Sequence, residues 1–400
     1  MNGEAGTTAS LEQLLATREV VVFCGSGGVG KTTTAAAAAL AATVRLGGRV
    51  LVLTIDPARR LANALGLGGF GNVERRVPDD VMRAAGVEPR GELYAAMLDT
   101  KASWDDLVLR HAPDEETAYR ILENRLYVNL TGRFVQSHDY IAMERLYDLH
   151  ATGRYDLIVV DTPPTRNAID FLEAPERMAE FFGGRLLRWL TMPYRIGGRR
   201  GARLVNFASR PFYQMADRIL GSQFLQDIGE FFLNFQTMED GFRRRATAVQ
   251  QLLHDQRSAF VVVTTLESAP LREARFFCDE LSKRNFHLGA LILNKTLPAY
   301  LRGADGRHAA EVILEDAPQI ADALAALGVP ALDDREATRR VLTTAATTFR
   351  DYAVVAAREA ELRNEMSKLP DVVITVPGLE DDIHDLAGLR RVADRLFAVS

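Results

Sequence analysis

The sequence predicts a doubly wound α/β fold, a mainly parallel sheet covered by helices on both faces. Short aliphatic runs recur along the chain: Val20-Val21-Val22-Phe23, Val50 to Ile55, Leu157 to Val160, Phe260 to Val263, Leu288 to Leu293 and Val372 to Val376. They are continuous rather than alternating, as in strands buried on both faces. The segments between them carry helical patterning, and strand–helix alternation builds parallel sheets.

The first unit is the clearest. After Val20 to Phe23, the segment Thr32 to Leu46 is rich in alanine, the best helix former, and Gly47-Gly48 offers a stop before the next strand. This is a compact βαβ unit. Leu93 to Leu98 offers a further strand. Two stretches interrupt the alternation with helical patterning and no convincing strand, residues 101–150 and 167–257. In the second, Phe224, Leu225, Ile228, Phe231, Phe232, Phe235, Met238 and Phe242 recur mostly at steps of three and four and share one helix face. The second stretch is therefore expected to be a helical subdomain inserted into an α/β domain spanning 18–400, with 101–150 a helical segment of that domain.

Composition excludes several classes. The 400 residues are 47% hydrophobic and 25% charged, the balance of an ordinary soluble globular protein. A net charge of −5 gives no general reason to expect nucleic acid as a partner. The two cysteines, Cys24 and Cys278, are too few for a disulfide scaffold, and the N-terminus lacks the pattern of a signal peptide. A cytoplasmic protein is expected, either free or peripheral at a membrane.

The strongest local signal is Gly25-Ser26-Gly27-Gly28-Val29-Gly30-Lys31-Thr32, which matches the phosphate-binding pattern G-x-x-x-x-G-K-[ST] and continues into Thr33. Glycines let the loop turn sharply enough to aim successive N–H groups at phosphate oxygens. Lys31 would reach the β- and γ-phosphates, and Thr32 would offer its hydroxyl to Mg²⁺. A strand precedes the loop and a helix follows it, as the motif requires. Two aspartates, Asp56 and Asp161, end later strands, where ligands of α/β sheets bind. A carboxylate there can hold Mg²⁺ through water or orient an attacking water. Each could instead cap the helix that follows. ATP with Mg²⁺ is the expected ligand.

The loop Gly25 to Thr34, the stretch Thr54-Ile55-Asp56-Pro57-Ala58-Arg59-Arg60-Leu61 and Asp161-Thr162-Pro163-Pro164-Thr165 together resemble the arsenite-pump and tail-anchored-protein-targeting ATPases, a branch of the dimeric MinD-like P-loop ATPases. Leu291-Ile292-Leu293-Asn294-Lys295 and Val376-Pro377-Gly378 extend the resemblance, which runs from about residue 18 to 398. It implies that Asp56 positions the lytic water in switch I and that Asp161 acts on Mg²⁺ through water. It also implies that Asn294 recognises the adenine edge and that the loop near Pro377 packs against adenine. Asn294 has a plainer reading as a strand-end turn residue.

One departure matters. Members of this family usually carry a second lysine in the loop, which reaches the partner subunit's nucleotide, and here that position is Ser26. A hydroxyl delivers no positive charge to the transition state. Three readings stay open: a slow ATPase, another cation such as Arg59, Arg60 or Arg166 in its place, or a lysine-bearing homologous subunit as partner. The expected assembly is thus a homodimer or heterodimer of related ATPase subunits. The family's C-x-x-C zinc clasp is absent, and two isolated cysteines do not make an arsenite site, so no structural zinc is expected.

The insertion carries two further features. The Phe224 to Phe242 stripe could wall a groove for a hydrophobic client, or serve as the subdomain's own core. Residues 181–216 hold Arg185, Arg188, Arg195, Arg199, Arg200, Arg203 and Arg210, with aromatics interleaved and no acidic residue. Such a patch suits an anionic membrane surface or an acidic partner, or is a solvated face. The leading expectation is an ATPase whose nucleotide state is coupled to a client or membrane partner. The alternative is a catalytically weak nucleotide-binding subunit that depends on a lysine-bearing relative.

Overall fold

A computed structural model of the chain describes residues 10–55, 60–67, 72–124, 127–128, 135–162, 172–174, 176–177, 231–366, 370, 372–379 and 381–397. Eight strands form one sheet: β1 (Val20–Cys24), β2 (Gly48–Thr54), β3 (Arg75–Arg76), β4 (Gly91–Met97), β5 (Leu157–Asp161), β6 (Ser258–Thr264), β7 (Leu288–Thr296) and β8 (Val373–Pro377). Their order is β3-β4-β2-β5-β1-β6-β7-β8. All pairs are parallel except β3 with β4 at one edge. Every strand but β3 falls on an expected run; β3 is two exposed arginines with no apolar signal.

The helices labelled here are α1 (Leu11–Thr17), α2 (Lys31–Arg45), α3 (Arg60–Ala64), α4 (Asp79–Ala84), α5 (Thr100–His111) and α6 (Glu115–Leu122). They continue with α7 (Val135–Ala151), α8 (Glu239–His254), α9 (Ser268–Lys283), α10 (Ala304–Ala325), α11 (Arg335–Met366) and α12 (Leu386–Leu396).

Alternate residues of one strand enter different cores. Val20, Val22, Leu51, Leu53, Ile158 and Val160 join Trp104, Tyr140 and Phe242 on one face. Val21, Phe23, Val50, Val52, Leu157 and Val159 join α2 and α12 on the other. Both faces are covered, so both registers of each strand must be apolar, which is why the runs are continuous. Burying each such side chain contributes about 1.5–3 kcal/mol. Ala35 to Ala39 of α2 are fully buried. Their small side chains suit a helix packed closely on the sheet, and a leucine there would overpack it.

The described part of the phenylalanine stripe is core, with Phe232 partly buried against it. Phe231, Phe235, Met238 and Phe242 are buried, Phe231 stacks on Phe235 at 5.1 Å, and Phe242 meets Trp104 at 6.2 Å. Beneath this cluster, Arg245 bridges Glu144 at 2.9 Å and also pairs with Asp148. Phe224, Leu225, Ile228 and the arginine-rich stretch 181–216 lie outside the described residues. Among those described, no helix is long and apolar enough to cross a membrane.

A further helical excursion was not anticipated. Between β7 and β8 the chain leaves the sheet as an α10–α11 hairpin, with α10 kinked at Asp316 just before Pro318. Phe349 of α11 packs so closely on Gly306 of α10 that a Cβ there would come within 2.5 Å of its ring. The two helices bury mainly alanine, which leaves a faint apolar period in the sequence.

Candidate nucleotide-binding site

The centre of the sheet sets the site. β1 lies between β5 and β6, and the glycine-rich loop runs from the end of β1 into α2. Two glycines are needed for contact. At Gly25 a Cβ would sit 2.1 Å from the Val263 carbonyl oxygen of β6. At Gly30, whose φ is 93°, a Cβ would sit 2.3 Å from Asn294 Nδ2. Gly30 is also the N-cap of α2 and supplies no side-chain cap. The first-turn N–H groups of α2 are thus donors of the kind that bind phosphate.

Register places the acidic group. β5 pairs with β2 and β1 so that Asp161 lies beside Thr54 and Phe23. The Asp161 carboxylate is fully buried, and its Oδ2 accepts hydrogen bonds from Thr32 Oγ1 at 2.7 Å and Thr54 Oγ1 at 3.0 Å. Thr162 continues the tie, its hydroxyl donating to the Phe23 carbonyl at 2.9 Å. A threonine hydroxyl beside a carboxylate at a helix N-terminus is a pair of hard oxygen donors, which fits Mg²⁺. Lys31 is buried, and its Nζ donates to the Ser26 carbonyl at 2.8 Å.

A cavity of about 880 Å³ opens over these groups. Its lining includes Gly27, Gly28, Gly30, Lys31, Thr32 and Thr33 of the phosphate loop and α2, together with Asn294 and Lys295 of β7 and Pro377 of β8. Its size lies in the range of ligand pockets. Gly25, Ser26 and Val29 complete the loop, and Asp161 lies against Thr32 of the lining. Asn294 Nδ2 donates to the Val29 carbonyl at 2.7 Å, so one of its amide hydrogens braces the loop. Ser26 Oγ is a buried oxygen with no partner among the described residues. Asp56, Arg59 and Arg166 lie outside the described residues, as does the side chain of Arg60.

Burial pushes the Cys24 thiol up to about 12, although Lys31 and a bond to Thr162 act in the other direction. Burial likewise pushes Cys278 up to about 12. Both are small buried side chains held as thiols, the form that binds soft metals poorly. Two groups at the site have no individual role in the sequence reading. Thr54 stands there only as part of the motif that holds Asp56, and Lys295 only as part of the motif that holds Asn294. The tie from Lys295 Nζ to the Gly28 carbonyl, at 2.9 Å, depends on backbone geometry that spacing does not reveal.

Fold and site together define a P-loop nucleotide-binding α/β protein. A sequence profile of the anion-transporting ATPases matches residues 18–305, and the chain belongs to that family. It is 24% identical to ATPase BagA of Mycobacterium tuberculosis over 385 residues, covering 93% of this chain and 90% of that protein. It is also 24% identical to ATPase GET3 of Eremothecium gossypii over 305 residues, 72% of this chain and 75% of that protein. A putative arsenical pump-driving ATPase 1 of Aquifex aeolicus is 24% identical over 298 residues, 70% and 63% of the two chains. Most of the α10–α11 hairpin lies beyond the profile match.

Proposed function

We propose that this chain is a Mg²⁺-dependent ATPase that works as a dimer with a second ATPase subunit and couples its nucleotide state to a client or membrane partner. The observation that carries the reading is the Thr32 hydroxyl 2.7 Å from the buried Asp161 carboxylate, beside Lys31 at the start of α2. In this reading Lys31 and the loop N–H groups bind the β- and γ-phosphates. Thr32 and Asp161 would hold Mg²⁺, Asp161 through water, and the ion would supply positive charge to the phosphate oxygens. Asp56 orients the water that attacks the γ-phosphorus, and ADP and phosphate leave. Asn294 and Pro377 bound the space for the base.

Coupling to an anion carrier or to a protein client follows the names of the relatives, GET3 and the arsenical pump-driving ATPase among them, and is a proposal for this chain. Ser26 favours a second reading, a weakly catalytic subunit completed by a lysine-bearing relative. Its short hydroxyl is buried, whereas a trans-acting group must reach outward to the partner's nucleotide. Purified chain assayed alone for Mg²⁺-dependent phosphate release separates the two. Steady turnover supports the first reading, whereas tight Mg·ATP binding without turnover, restored by a homologous subunit, supports the second. Absence of Mg·ATP binding in calorimetry would sink both.

A further inference from the structure

β2 and β5 end side by side. Their last residues, Thr54 and Asp161, are register partners, and just beyond them the Ile55 N–H donates to the Asp161 carbonyl at 3.0 Å. Every second residue before them, Val50 and Val52 in β2 and Leu157 and Val159 in β5, enters the core under α2. The same alternation turns both final side chains toward α2, which opens with Lys31 and Thr32. There the Thr54 hydroxyl, on a residue 1% exposed, donates to Asp161 Oδ2 at 3.0 Å. Valine has the shape of threonine and favours strands, so it would continue the apolar alternation equally well. The hydroxyl therefore needs a reason other than packing.

Asp161 supplies the reason. A buried carboxylate needs donors, and its Oδ2 takes two, from Thr32 at 2.7 Å and from Thr54. The two donors are held by different parts of the fold. Thr32 belongs to the first turn of α2, next to the phosphate loop. Thr54 is pinned in the sheet, where β2 lies between β4 and β5 and the Thr54 carbonyl accepts from the Leu98 N–H at 2.9 Å. The torsion that turns an aspartate carboxyl is soft, so a single donor would let the group swing. A second donor on the same oxygen, from a strand paired on both sides, fixes its plane. We propose that Thr54 is a positioning residue for the metal: it holds the Asp161 carboxylate in the orientation that receives a water ligand of Mg²⁺, and so sets how far the ion strengthens nucleotide binding. The inference rests on the reading of this cavity as a Mg·ATP site and adds to it a residue that acts through another.

Calorimetric affinities for the slowly hydrolysed ATP analogue AMP-PNP, with Mg²⁺ and with EDTA in its place, test this on the full chain, Thr54→Val, Thr54→Ala and Thr54→Ser. The ratio of the two affinities reads the contribution of the ion. Thr54→Val should lower that ratio about tenfold while changing the affinity in EDTA by less than about threefold. Thr54→Ala also loses the methyl; it should lower the ratio equally, and it serves in place of Thr54→Val where that variant does not fold. Thr54→Ser keeps the hydroxyl and should hold the ratio within about threefold of the parent. A fall of the same size in Mg²⁺ and in EDTA, no fall in either, or a Thr54→Ser ratio as low as that of Thr54→Val overturns the positioning role. A parent chain whose affinity ignores Mg²⁺ overturns the metal assignment of Thr32 and Asp161. A parent that binds no AMP-PNP overturns the nucleotide reading beneath both.

Discussion

Two sets of residues around the cavity are held in different ways. At the head of α2 and the end of β5, Lys31 and Asp161 are buried, and Asp161 is held by two hydroxyls that sheet register aligns with it. At the end of β7, Lys295 is exposed, while Asn294 is buried and turns part of its amide to bracing the loop. Phosphoryl transfer depends on preorganised charges, and burial makes each of them count for more. The contrast teaches that removing one group should hurt chemistry most in the first set and affinity or stability most in the second.

The sharpest way to break that contrast is Lys31→Ala. Phosphate release should fall at least about a hundredfold, with ATP affinity reduced in calorimetry. Turnover within tenfold of the parent would place the triphosphate elsewhere. Asp161→Asn comes next, keeping shape but removing charge. Hydrolysis should fall by about a hundredfold and the Mg²⁺ needed for half-maximal rate should rise, as a metal titration would reveal. An unchanged metal requirement would separate Asp161 from the ion.

Gly30→Ala probes the contact between the two sets. The left-handed φ and the 2.3 Å approach of Asn294 Nδ2 mean the new methyl must displace the amide. The expected cost is about 1–3 kcal/mol in thermal or denaturant unfolding, with ATP affinity lowered in parallel. Asn294→Ala should be milder, about 1–2 kcal/mol, because it deprives the Val29 carbonyl of its donor. A larger loss in turnover than in stability would mean that the two sets are not divided as described. The smallest effect is a null result at the thiols. With both cysteines pushed up to about 12, the thiolate fraction at pH 8 is about 10⁻⁴. A disulfide reagent should leave native protein unlabelled until denaturant is added, and rapid labelling of either cysteine would reveal an opening of the core.

The sheet was legible because burial on both faces leaves an unbroken aliphatic signature, as Val159-Val160 and Val261-Val262-Val263 illustrate. The phosphate loop was legible because its contacts come from consecutive residues. Asp161 could be named because strand ends in such sheets converge on the ligand, although its partner Thr54 emerged only from register. The tie from Lys295 to the phosphate loop was out of reach, since it turns on a backbone angle and a bulge that residue identity does not encode. The α10–α11 hairpin was hidden by small buried residues such as Ala310, Ala317, Ala346 and Ala353. Arg75–Arg76 was hidden because an edge pair of two exposed residues has no apolar pattern at all.

That hairpin has a mechanical meaning. Its feet are the end of β7, which carries Asn294 and Lys295, and the start of β8, which leads to Pro377. At 32 residues α11 extends about 48 Å. Its lower turns are clamped to the body, where Glu359 accepts from the Leu297 N–H at 2.8 Å and Met366 is fully buried. A stiff boom rooted in two hydrogen-bonded neighbouring strands moves them as one. Torque applied at its far tip is therefore carried to the strand ends that hold Asn294, Lys295 and Pro377.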